Sequence, residues 1–126
     1  MHAIDTNVLV RLITRDDVQQ VSAAEAFIRR GVWASHIVLA ETAWVLTTVY
    51  DFQHKEVANA IEMLLSERHL TIQDADVVAT ALDRYRSKPA LRFTDCLILE
   101  IARKAGHLPL GTFDRTLSKL EGTARL

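Results

Sequence analysis

Cysteine is nearly absent from this sequence, Cys96 being the only one. No disulfide can form within the chain, and no cysteine cage for zinc can be built. Long apolar runs are missing too: none approaches the roughly 20 residues that a membrane helix needs. Met1 leads to Asp5 with no basic segment followed by an apolar stretch, so no secretory leader is expected and the cytoplasm is the expected location. The five histidines, His2, His36, His54, His69 and His107, show none of the close pairings that mark histidine metal sites. Positive charge is not in excess, with 15 Lys and Arg against 16 Asp and Glu. Affinity for nucleic acid usually rests on basic contacts to phosphate, so a nucleic-acid role must come from local features. There is no linker, repeat or low-complexity stretch.

What is present is the balance of an ordinary globular chain: 126 residues, about half of them apolar and a quarter charged, enough for one core and one domain, 1–126. A short apolar start ends at Asp5, and Asp5-Thr6-Asn7 precedes Val8, Leu9, Leu12 and Ile13, which predicts a strand followed by a helix. A second helix fits 18–30, with Gly31 as its stop. A strand is expected over 32–37. Residues 38–50 are apolar on nearly every side, as in a helix buried in a domain, with Glu41 as the one charge in its first turn. Further helices fit 54–68, 76–86 and 95–105, with strands at 70–73 and 109–113, a short helix to Leu120 and an edge strand at 123–126. Strands alternating with helices predict an α/β fold with a mostly parallel sheet.

In such sheets ligands bind beyond the carboxyl ends of the strands. Asp5 and Asp114 are expected at those ends, Asp95 at a helix start after the Pro89 loop, and Glu41 in the apolar helix. Each has an ordinary structural explanation, as a helix cap or a partner of the helix dipole. Glu41 fits that explanation least, because a carboxylate inside an apolar helix is costly unless paired or bound to a cation. Four acids meeting at one point would make a site for a hard cation such as Mg²⁺ or Mn²⁺.

Ile4-Asp5-Thr6-Asn7-Val8-Leu9, Leu39-Ala40-Glu41, Phe93-Thr94-Asp95 and Gly111-Thr112-Phe113-Asp114 resemble, in order and spacing, the motifs of the PIN-domain nucleases. The likeness is nearest to the VapC-type toxins of bacterial toxin-antitoxin pairs and runs over essentially the whole chain. It implies a three-layer α/β/α sandwich and a site-specific endoribonuclease dependent on Mg²⁺ or Mn²⁺. Asp5, Glu41, Asp95 and Asp114 match the family's acidic quartet, as metal ligands and catalytic groups. Asn7 falls where a polar residue often supports the first Asp, and Thr112 matches a Ser or Thr that often lies two positions before the last acid. The third acid is often followed by small residues in the family; here Cys96-Leu97-Ile98-Leu99-Glu100 follow it. Cys96 reads as a buried small side chain, and Glu100 as a solvated helix charge that stays a minor site candidate.

Water activated by a cation and attacking a phosphodiester is the chemistry that such an acid set suits. Basic side chains should then position the RNA backbone. Arg84, Arg86, Lys88 and Arg92 precede Asp95, and Arg11, Arg15 and Arg115 neighbour the other motifs; each reads equally well as an ordinary solvated charge. Trp33 and Trp44 lie in apolar runs and are expected in the core rather than stacked on bases. The resemblance further implies a homodimer and a VapB-type antitoxin, for which the N-terminal helices bearing Val18, Val21, Phe27 and Ile28 offer apolar surface, or else core. Two other readings stand beside it. One is a non-catalytic PIN-like scaffold, although such scaffolds commonly lose an acid. The other is a phosphatase of the haloacid dehalogenase type, which would want a second Asp where Asn7 stands.

Overall fold

A computed structural model describes residues 1–126. The chain forms two compact units, Met1–Ala75 and Asp76–Leu126. Every strand pairing in either unit is parallel, so the class is the α/β one expected from the alternation of elements.

The first unit runs β1 (His2–Ala3), α1 (Thr6–Thr14), α2 (Val18–Ile28), β2 (Val32–Ala34), α3 (His36–Thr48), α4 (His54–Ser66) and β3 (Leu70–Ile72). Its sheet has the order β1-β2-β3, with His2 opposite Val32 and Val32 opposite Leu70. Parallel neighbours cannot be joined by a tight turn, and here a pair of helices makes each connection. The helix starts are set locally. Asp5, Asp17 and Ser35 accept hydrogen bonds from Val8, Gln20 and Val38, and Gln53 with Glu56 forms a reciprocal capping box. Each such cap contributes about 1 kcal/mol by satisfying an orphan amide. Leu9, Leu39, Leu46, Ile61 and Leu64 are fully buried. Truncating any of them to Ala should cost about 2–5 kcal/mol.

The second unit holds α5 (Ala75–Ser87), α6 (Phe93–Ala105), β4 (Leu110–Thr112), a 3₁₀ turn (Leu117–Lys119) and β5 (Thr123–Arg125). Strands β4 and β5 pair with Leu110 opposite Thr123. Val78, Cys96 and Leu99 are fully buried in it, and the rings of Tyr85 and Phe93 meet edge to face at 5.9 Å. Helix α6 ends at Gly106, whose φ of 81° is the left-handed conformation that glycine adopts without Cβ strain.

Several boundaries differ from those expected. The strand expected over 32–37 stops at Ala34, because Ser35 caps α3 through its hydroxyl. Glu41 therefore lies in the second turn of α3 rather than the first. The helix expected to open at Asp95 opens at Phe93, with Arg92 as its N-cap, which puts Asp95 inside the first turn. The helix expected after Asp114 is only a 3₁₀ turn. Helix α3 is not buried on all sides: Ile37 and Trp44 are 71% and 61% exposed, and its C-cap Val49 is 64% exposed.

Candidate metal and nucleic-acid site

Asp5 lies two residues beyond the end of β1. Its backbone is extended and its Oδ1 accepts from the Val8 amide at 3.3 Å, which leaves Oδ2 for another partner. Glu41 comes from α3, and the Thr6 hydroxyl donates to its Oε2 at 3.4 Å. Glu41 thus stands beside the first residue of α1, the neighbour of Asp5 in the chain. Both carboxylates are exposed. That corrects the argument from burial: Glu41 occupies the solvent face of its helix, where a charge needs no compensation. It shares that face with Ile37 and Trp44, four residues before it and three after.

In the second unit Asp95 is paired with Arg92. The guanidinium meets Asp95 as a fork, Nε to Oδ2 at 3.2 Å and Nη2 to Oδ1 at 3.3 Å. Those hydrogen bonds, and then the charges of Asp95 and Asp114, hold the Arg92 pKa above its ordinary value. Asp114 sits just beyond β4. Its amide donates to Thr112 Oγ1 at 3.0 Å and its Oδ1 accepts from the Leu117 amide at 2.8 Å, so Thr112 fixes the backbone that carries the acid. Asn7 is exposed and lines a groove of about 500 Å³ between α1 and α2, with Val8, Arg11, Gln20, Ala23 and Phe27.

The donor chemistry of these residues fits a hard divalent cation. All four are carboxylates, the preferred ligands of Mg²⁺ and Mn²⁺, and three of them are exposed at element ends or on a solvent face. No three His, Cys, Asp or Glu side chains are drawn together closely enough to hold an ion. Thr6 sets Glu41 beside the start of α1, next to Asp5 in the chain, and Asp95 already has a cationic partner in Arg92.

Several basic side chains expected to meet RNA have other work. Arg11 donates Nε to Gln20, and its Nη1 lies 3.1 Å from Asp16 and 3.0 Å from the Tyr50 hydroxyl. The same Asp16 accepts from Thr14 and Tyr50, and those bonds hold its pKa below the ordinary carboxylate value. Arg15 pairs with Glu25 at 3.4 Å, and Arg84 faces Glu100 at 3.9 Å. Arg86 also has a partner. Lys88 is half-buried and Arg115 exposed.

Three expectations about individual residues are corrected. Glu100 is only 3% exposed, and its Oε1 accepts from Arg103 Nε at 3.1 Å. It is a buried ion-pair member, not a solvated charge. Trp44 is exposed and Trp33 is 36% accessible, so neither is a core ring. For Trp44 the pattern missed this because both faces of α3 carry apolar residues, and periodicity cannot then tell the buried face from the open one; Trp33 lies in β2 between buried Val32 and Ala34, its side chain on the opposite, open face. Among the N-terminal residues, Val21 and Ile28 are buried, whereas Val18 is 83% exposed. Cys96 is fully buried as expected, and burial, followed by the nearby charges of Asp95 and Glu100, pushes its thiol pKa up to about 12.

No helix is long and apolar enough to cross a membrane. No curated protein and no solved structure matches the chain. The family model described as PIN domain matches residues 3–122, a span that contains all four acids. PIN domains are generally nucleases. With that match running over nearly its full length, the chain belongs to the PIN domain family.

Proposed function

We propose that the chain is a metal-dependent, site-specific endoribonuclease and the toxin of a VapBC-type toxin-antitoxin pair, acting as a single PIN domain. The observation that carries the nuclease reading is the setting of the acids: Glu41 accepts from Thr6, the residue after Asp5, and Asp95 is held by Arg92, whose guanidinium also feels the charge of Asp114. In this reading Asp5, Glu41, Asp95 and Asp114 are the groups that would hold Mg²⁺ or Mn²⁺. Such a cation supplies activation of a water and neutralises charge on the phosphate oxygens. The chain's own residues set the stage for that chemistry. Val8 and Leu117 fix the orientations of Asp5 and Asp114 through their amides, Thr6 steadies Glu41, and Thr112 braces the Asp114 backbone. No nucleophilic Ser or Cys is required, and Cys96 is both buried and held protonated.

The toxin assignment draws on the ordered likeness of the four motifs to VapC-type chains. A VapB-type antitoxin and a second copy of the chain are the partners it brings. Exposed Val18, Ile37, Trp44 and Val49 supply apolar surface for such contacts.

The decisive experiment is cleavage of total cellular RNA by the purified chain with Mg²⁺ or Mn²⁺, against EDTA, Asp5→Asn and Asp95→Asn. Cleavage is expected only for wild type with metal. Identical RNA profiles for wild type and both variants in metal would leave a non-catalytic scaffold. Growth arrest on expression, relieved by Asp5→Asn, tests the toxin role separately.

A further inference from the structure

Both oxygens of Asp95 are occupied by one guanidinium. The two partners differ sharply in setting: the Asp95 side chain is 13% accessible and the Arg92 side chain 78%. A carboxylate so enclosed needs a cationic or hydrogen-bonding partner, because desolvation of an unpaired charge is expensive. Arg92, out in water, loses little by leaving, since exposed ion pairs contribute weakly. Its backbone stays fixed meanwhile, for the Arg92 carbonyl accepts from the Asp95 and Cys96 amides at 3.1 and 3.3 Å. The side chain alone is free to swing. The charge of Asp114 also acts on the same guanidinium, more weakly than that of Asp95.

A divalent cation on Asp95 competes with that fork for the oxygen lone pairs, and two positive groups on one carboxylate repel. A guanidinium driven off Asp95 keeps its charge and its two parallel donors, which match a phosphodiester as well as a carboxylate.

We propose that Arg92 is an exchangeable counter-ion: it holds Asp95 in the metal-free chain, yields that carboxylate to the entering cation, and is thereby released to bind a phosphate of the RNA backbone. The proposal rests on the reading of Asp95 as a metal ligand. Its consequence is a trade. Arg92 weakens metal binding to the free protein and strengthens binding of RNA to the loaded one, so metal and RNA bind with positive coupling.

The test is calorimetric titration of the intact chain with Mn²⁺, using wild type, Arg92→Ala, Arg92→Lys and Asp95→Asn, all checked for folding by circular dichroism. Arg92→Ala should bind Mn²⁺ about threefold to tenfold more tightly than wild type, the scale of a lost exposed competitor. Arg92→Lys keeps the charge but loses the fork, and should fall between them. Wild-type behaviour of Arg92→Lys would mean that only distant charge repulsion acts, and would overturn the exchange. Unchanged or weaker Mn²⁺ binding by Arg92→Ala would overturn it as well. Equal Mn²⁺ uptake by wild type and Asp95→Asn would instead remove Asp95 as a ligand and strike the proposed function itself. With Ca²⁺ and an uncleaved RNA, Arg92→Ala should bind RNA more weakly and lower the salt slope by about one; an unchanged slope would overturn the phosphate role.

Discussion

Asp5 accepts the Val8 amide through Oδ1 at 3.3 Å, so one side chain both starts α1 and presents a carboxylate oxygen beyond β1. The two duties can be separated. Asn caps a helix about as well as Asp, whereas Ala forfeits about 1 kcal/mol. Asp5→Asn should therefore unfold in urea within about 0.5 kcal/mol of wild type while losing RNA cleavage by on the order of a hundredfold or more, the scale of one lost electrostatic stabiliser. Asp5→Ala should lose both. Cleavage retained by Asp5→Asn would make Asp5 a cap and nothing else.

Much of this was legible because the governing interactions are local. The starts of α1 and α2 follow from Asp5 and Asp17 accepting amides three residues on, and the end of α6 from Gly106. Asp5 and Asp114 could be placed beyond strand ends for the same reason. Exposure was less legible. Glu41 and Trp44 lie on the open face of a helix whose buried face, Leu39, Ala43 and Leu46, is equally apolar, and the sequence there has no polar stripe to mark the difference. Glu100 misled in the opposite sense. Its nearer partner, Arg103, is three residues away and visible in sequence, but its burial depends also on Arg84, sixteen residues before it on another helix.

That buried Glu100 makes an asymmetric prediction. The arginines that face it are 41% and 33% accessible while Glu100 is 3%, so either arginine can turn to water and the glutamate cannot. One of its oxygens, Oε2, already lacks a hydrogen-bond partner. Removing Arg103 should cost about 3 kcal/mol, because a buried charge is left poorly paired and the bond from Arg103 Nη2 to the Glu121 carbonyl is also lost. Replacing Glu100 by Met, of similar volume, should be within about 1 kcal/mol of neutral. Urea denaturation of Arg103→Ala and Glu100→Met checks the order, and the reverse order would refute it.

Cys96 carries a prediction about alkaline pH. Its folded thiol is raised from an ordinary 9.0 to about 12, chiefly by burial. Between these values the unfolded chain gives up the thiol proton and the folded chain keeps it. The stabilising contribution is therefore complete below pH 9 and is lost as pH rises toward 12. Urea midpoints measured from pH 8 to 10.5 should fall more steeply for wild type than for Cys96→Ala. A thiol-specific disulfide reagent at pH 8 should label Cys96 only when urea is present; rapid labelling of the folded chain would contradict the burial.

Thr112 shows how a residue that touches no reacting group can matter to the site. Its Oγ1 accepts the Asp114 amide at 3.0 Å, two residues on, while Asp114 itself accepts the Leu117 amide. Together these bonds fix both the backbone and the side chain that bring the fourth acid forward from β4. Thr112→Val keeps the shape and the β-branched preference for strand but removes the acceptor. Outer partners of metal-binding carboxylates typically change affinity or activity about 10–100-fold, so Thr112→Val should weaken Mn²⁺ binding and cleavage together by roughly tenfold. Thr112→Ser, which restores the oxygen, should recover most of both. Thermal unfolding separates this positioning role from a merely structural one: the half-buried Thr112 should give a Val variant within about 1 kcal/mol of wild type. Parallel losses of stability and Mn²⁺ affinity that Ser fails to rescue would show that Thr112 supports the strand and not the acid.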